Sequence, residues 1–161
     1  HSLSPQLHSS AYAAAGLAQG SYHYQLVDLE RTGVDWQCPV ALAAALRGLA
    51  SSGFTGLNVT IPCKIAVVPH LDRVEASAAK VGAANVIAIE RCSSGAGSRP
   101  LLVGHNTDML GVRHALAEAG ILKASGAEAE SVALLGAGGI ARAVLAVLEE
   151  RGGIIEVRVF D

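Results

Sequence analysis

Apolar positions along this chain switch between a spacing of three to four and a spacing of two, which predicts helices interleaved with strands. Ser4 and Pro5 form a helix start, with Ser4 as N-cap and Pro5 at the first helical position; the helix runs to about Ala15 and stops at Gly16. Tyr22 to Leu29 alternates and carries Tyr and Val, so a strand is expected there. Val40 to Ala50 is Ala/Leu-rich and reads as a helix ended near Gly53. Gly56 to Ile61 is a short apolar strand, and Pro62 then opens a helix with Lys64 on its first turn. A helix over Asp72 to Lys80 and strands over Ala84 to Glu90 and Leu101 to Gly104 follow, the strands joined by the Gly/Ser-rich hairpin loop Arg91 to Pro100. Thr107 to Ala119 reads as a helix and Lys123 to Glu130 as a small-residue linker. Ser131 to Leu135, Gly139 to Arg151 and Ile154 to Phe160 then read as strand, helix and strand. This order predicts an α/β fold with mainly parallel sheets. A break near Asn106 to Asp108 separates a first part, rich in Ser, Thr, Asn and His loops, from a βαβ unit of the dinucleotide-binding kind.

Composition supports a buried core: apolar residues make up 51% of the 161 and charged residues 16%. Aromatics are only 4%, which suits small-residue packing of helices on a sheet. A net charge of -2 without a basic block leaves no electrostatic footprint for nucleic acid. No apolar stretch reaches membrane-spanning length. Cys38, Cys63 and Cys92 are odd in number and widely spaced, so neither a disulfide framework nor a zinc site is expected, and a reducing cytoplasm is the simplest compartment. His1, His8 and His105 show no metal-ligand spacing. The start at His1 and the stop at Asp161, within a strand, read as a piece of a longer chain that would be inactive alone.

Four segments carry chemistry. Gly136-Ala137-Gly138-Gly139-Ile140-Ala141 fits G-x-G-x-x-[GA] between a strand and a helix. Gly136 allows the tight turn, Gly138 lets the backbone approach a pyrophosphate, and the helix N-terminus attracts its charge. Asp161, at the end of the next strand, has the spacing of the acid that binds the adenosine ribose hydroxyls; it would repel a 2′-phosphate, which favours NAD over NADP. Asn58 to Lys64 (NVTIPCK) ends a strand in polar groups and presents Lys64 on a Pro-started helix. Gly104 to Asp108 (GHNTD) is again a strand end before a helix start. Taken singly, Lys64 is an ordinary surface lysine and Asp108 a first-turn helix acid.

Taken together, these segments resemble the shikimate dehydrogenase family, including its quinate/shikimate branch. The resemblance rests on HSLSP at His1 to Pro5 with His8, NVTIPCK, VGAANVI at Val81 to Ile87, GHNTD and the glycine turn, in that order. It implies a three-layer α/β substrate domain over 1–108, lacking its first strand, and the start of a Rossmann dinucleotide-binding domain over 109–161. It implies that Ser2 and Ser4 bind the substrate carboxylate, that Lys64 and Asp108 are the catalytic pair, and that Asn58, Thr60, Asn85 and Thr107 line or shape the site. Gly136, Ala137, Gly138, Gly139 and Ile140 match the cofactor turn. Ala84 and Val86 stand where the family usually has Val and Thr, Met109 replaces a usual Gly, and Cys63 sits where His or Tyr is common.

The implied activity is reversible hydride transfer between a shikimate- or quinate-class hydroxy acid and NAD or NADP. The protein's part is to position the carbinol and manage its proton. Lys64 serves as acid/base if burial brings its pKa toward neutrality, a shift that a nearby Asp108 opposes. The pair could instead act by orientation and charge stabilisation. Competing readings are a methylene-tetrahydrofolate dehydrogenase-like enzyme and a non-catalytic ligand-binding regulatory module derived from the family. A homodimer is the expected assembly if the protein is not monomeric, with no nucleic acid or membrane partner.

Overall fold

A computed structural model describes residues 2–18, 20–91, 99–122, 130–151 and 154–160. The chain forms two compact units, 1–35 and 36–161.

The first unit contains helix α1, Ser4–Ala14. Ser4 is its first helical residue and not its N-cap: Leu3 holds that position without a side-chain cap. The Ser2 hydroxyl instead accepts the Ser4 amide at 3.2 Å, which satisfies one of the helix's free N–H groups. Gly16 follows with φ +71°, a conformation that favours glycine at a helix end. The strand expected over Tyr22 to Leu29 does not form; residues 22–28 carry no regular structure. Their aromatic rings pack locally instead: His8 stacks on Tyr24 at 4.1 Å, and Tyr12 meets Tyr22 at 5.1 Å. Alternation makes a strand only where a ladder partner exists, and among the described residues none pairs with this segment.

The second unit begins with α2, Pro39–Ser51, whose Leu42, Leu46 and Ala50 form a buried stripe at four-residue spacing. Strand β1 (Gly56–Asn58), helix α3 (Cys63–Ala66) and a 3-10 turn (Val68–His70) follow. Next come β2 (Arg73–Val74), α4 (Ala76–Val81), β3 (Val86–Glu90) and β4 (Leu101–His105). The helix expected from Asp72 therefore starts only at Ala76, because residues 73–74 pair in parallel with β4 and lock the preceding backbone into a strand. The sheet order is β1-β3-β4-β2. Both β1–β3 and β3–β4 are antiparallel, so this sheet is mixed and not mainly parallel. Joining β3 to β4 by a hairpin dictates that outcome; residues 92–98 of its loop, Cys92 among them, and most of the expected 123–130 linker lie outside the described residues.

Helix α5 (Asp108–Glu118) leads to β5 (Glu130–Leu135), α6 (Gly139–Arg151) and β6 (Ile154–Phe160). Strands β5 and β6 are parallel, as a βαβ crossover requires. One core joins α6 to α4 and α5: Val81, Ala83, Met109, Ala143, Ala146 and Val147 pack together, with Val112, Leu116 and Leu122 against them. Met109 fills part of that core. No helix among the described residues is long and apolar enough to cross a membrane.

Asp72 anchors the far end of the sheet. It accepts from Arg47 at 2.7 and 2.9 Å, from Arg99 at 2.6 Å and from the Leu102 amide at 2.7 Å. The Arg47 hydrogen bond, aided by the Leu102 amide and both guanidinium charges, lowers the carboxyl pKa from 3.8 to about 2. A depressed carboxylate stabilises the fold above its unfolded pKa and loses that contribution as pH falls through the folded value. We therefore expect Asp72→Asn to destabilise the protein by about 1 kcal/mol at neutral pH, a figure already reduced for solvent screening. In urea unfolding, the gap between wild type and variant should close as pH falls from about 4 toward 2. A gap that does not change with pH would contradict this role.

Candidate active site

The ends of three strands meet at one edge of the mixed sheet. Asn58 ends β1, Val86 begins β3 and His105 ends β4, and the register places Val86 opposite both of the others. Asn85 occupies the junction: its carbonyl accepts the Val59 amide at 2.8 Å and its amide donates to the His105 carbonyl at 3.1 Å. Segments far apart in sequence are thereby held at one point.

From this edge Pro62 leads into α3, which carries Lys64. The Lys64 carbonyl accepts the Ala84 amide at 2.8 Å, so its backbone is tied to the approach of β3. On the other side, β4 runs through Asn106 and Thr107 into α5, which begins at Asp108. The Lys64 ammonium donates to Asp108 Oδ2 at 2.8 Å. Their side chains are 14% and 16% exposed, enough to reach solvent or a ligand but not to lie flat in it. Asn85 Nδ2 donates to Asp108 Oδ1 and to Thr107 Oγ1, each at 2.9 Å, while its Oδ1 accepts the Thr107 amide at 2.9 Å. Asn85 thus fixes the carboxylate from the side opposite Lys64.

Asn106 is the residue whose importance the sequence reading missed. Only 2% exposed, it donates to the Ala83 carbonyl at 2.9 Å and accepts the Met109 amide at 3.3 Å. Its own amide donates to Ser77 Oγ at 3.1 Å. The signal was there: an Asn just before a helix is a preferred cap. Cys63, beside Lys64, is buried, and burial raises its thiol pKa, which disfavours the reactive thiolate.

Asn58 and Thr60 flank the same strand end; the Thr60 carbonyl accepts the Cys63 amide at 2.9 Å and shapes the turn into α3. Ser2 and Ser4 belong to the first unit, where the Ser2 hydroxyl donates to the Ser4 hydroxyl at 3.0 Å, so the two do converge. Asp161 and His1 lie outside the described residues.

The glycine turn fits a dinucleotide. Gly136 has φ +94°, which favours glycine, and its amide donates to the Phe160 carbonyl at 2.6 Å. A Cβ on Gly136 or on Gly138 would meet nothing within 4 Å, so open space lies where a pyrophosphate would approach. The 13-residue α6 starts immediately after, with Ile140 half-exposed on its first turn. Among the described residues a groove of about 560 Å³ runs elsewhere, past Lys80, Arg142, Glu149 and Val157, and no candidate site residue lines it.

Residues 1–87 match the family model described as the shikimate dehydrogenase substrate binding domain. The chain belongs to the shikimate dehydrogenase family. It is 42% identical over 153 residues to a shikimate dehydrogenase (NADP(+)) of Moorella thermoacetica, covering 94% of this chain and 44% of that protein. Among solved structures, quinate dehydrogenase from Corynebacterium glutamicum in complex with NAD is 31% identical with a TM-score of 0.74, covering 99% of this chain and 51% of that one. Shikimate 5-dehydrogenase from Thermus thermophilus in complex with NADP(H) and shikimate is 36% identical with a TM-score of 0.67, at the same coverage. The chain therefore spans about half the length of the family members it matches. These likenesses agree with an α/β substrate domain followed by the start of a Rossmann unit.

Proposed function

We propose that the protein containing this chain is a dehydrogenase of shikimate- or quinate-class hydroxy acids, with Lys64 and Asp108 at its chemical centre. The observation that carries this reading is the 2.8 Å Lys64–Asp108 pair, held at a sheet edge by Asn85. On this reading residues 1–108 bind substrate and 109–161 begin the dinucleotide-binding domain.

Lys64 is the proton-transfer group. In the reductive direction its ammonium donates a proton to the ring oxygen as that oxygen gains charge; in the oxidative direction it takes the proton back. Asp108 is the positioning partner, gripping the ammonium through Oδ2 and free to accept from a ring hydroxyl. Asn85 and Thr107 keep the carboxylate in place, and Asn58 and Thr60 border the same edge. Ser2 and Ser4, two adjacent hydroxyl donors, suit a substrate carboxylate. A bound nicotinamide dinucleotide supplies the hydride acceptor or donor. Gly136 would form the turn, and Ala137, Gly138, Gly139 and Ile140 would hold its phosphates on backbone amides and the α6 N-terminus.

NAD is the favoured cofactor on this reading. Its support is Asp161, which follows β6 in the sequence and whose carboxylate would repel a 2′-phosphate. The protein would work in the reducing cytoplasm, as a monomer or homodimer. The test is cofactor reduction by the full-length protein with shikimate and with quinate, each with NAD and with NADP. Turnover of either acid, with a higher kcat/KM for NAD, is expected. No turnover of either acid would overturn the reading, and an NADP preference would overturn the cofactor assignment.

A further inference from the structure

A side chain at the third glycine of the turn would meet the lysine. An ideal Cβ on Gly139 would lie 3.3 Å from Lys64 Cδ and 3.9 Å from Lys64 Cβ. Outside its own chain neighbours and helix backbone, it would meet nothing else within 4 Å. Gly139 also has no positive φ, so backbone conformation does not require glycine there. In the first turn of α6, glycine is in fact disfavoured against alanine by up to about 1 kcal/mol. The contact with Lys64 is what a side chain here would disturb.

We infer that Gly139 is a positioning residue for Lys64. Its bare Cα leaves a channel through which the lysine stem crosses the first turn of α6 to reach Asp108. Carbon atoms pack best at about 3.5–4.0 Å, so a methyl at 3.3 Å pushes the stem. The stem cannot slide away freely, because it is held at both ends. Ala84 N–H holds the Lys64 backbone carbonyl at 2.8 Å, and Asp108 holds the ammonium at 2.8 Å. The displacement therefore reaches the ammonium and loosens the ion pair. The same turn that approaches a phosphate thus sets the aim of the acid/base group. The contact is a fact of the fold, whereas its effect on turnover rests on the dehydrogenase reading above.

The experiment compares wild type, Gly139→Ala and Gly138→Ala in the full-length protein. Without substrate or cofactor, the rate at which an amine-acylating reagent modifies Lys64, followed by peptide mass spectrometry, reads the grip of Asp108. Gly139→Ala should speed that modification roughly 3-fold or more, since a looser pair frees the amine. Its thermal midpoint should stay level or rise, from the better helix former. In turnover, Gly139→Ala should lower kcat roughly 3- to 10-fold and shift the pH profile of kcat. Gly138→Ala should instead raise cofactor KM and leave Lys64 reactivity at the wild-type rate. Unchanged Lys64 reactivity in Gly139→Ala, at whatever midpoint, overturns the inference. Should wild type turn over neither acid, the dehydrogenase reading fails, and the acylation rates still decide whether Gly139 positions Lys64.

Discussion

Lys64→Ala in the full-length protein should lower kcat by about 10²- to 10⁴-fold, the range that a positioned acid/base group contributes. Substrate KM should change far less, because on the proposed reading the other polar groups near Asn85 remain to bind it. The fold should survive, since the ammonium meets Asp108 at a partly exposed edge. The loss leaves Asp108 still held by Asn85 at 2.9 Å. Steady-state kinetics with shikimate or quinate check this. Near-normal turnover would mean that the proton moves by another route.

Asn106→Ala should have the largest effect on stability, about 3 kcal/mol. It leaves the Ala83 carbonyl and the Met109 amide buried without their partner, and each orphaned group costs about 1–3 kcal/mol. Asn106→Asp keeps an acceptor for the Met109 amide but loses the donor to Ala83, and should lie between wild type and alanine. Urea unfolding of the full-length variants measures both. A change below about 0.5 kcal/mol, the usual size for an unremarkable surface position, would show that the cap is dispensable.

What the sequence made legible follows from range. Helices α2 and α6 and strand β5 were readable because local apolar spacing sets them. The glycine turn was readable because Gly136 needs its positive φ whatever lies around it. The failures are non-local. Tyr22 to Leu29 has strand composition but no ladder among the described residues, and residues 73–74 join β4 where helix was expected. At the site, Lys64 and Asp108 were individually ordinary, and only the junction at Asn85 brings them to 2.8 Å. The family resemblance pointed to both. The approach of Gly139 to Lys64 could not be read without coordinates.

The central claim is that Lys64 and Asp108 act as one unit in the chemical step. A double-mutant cycle on kcat/KM, using Lys64→Ala, Asp108→Asn and the double variant in the full-length protein, tests it most directly. Groups that work together lose function together, so Asp108→Asn should cost much less in the Lys64→Ala background than alone, with a coupling above about 1 kcal/mol. Additive losses, within about 0.5 kcal/mol, would contradict the claim and leave the pair as two independent residues that share a hydrogen bond.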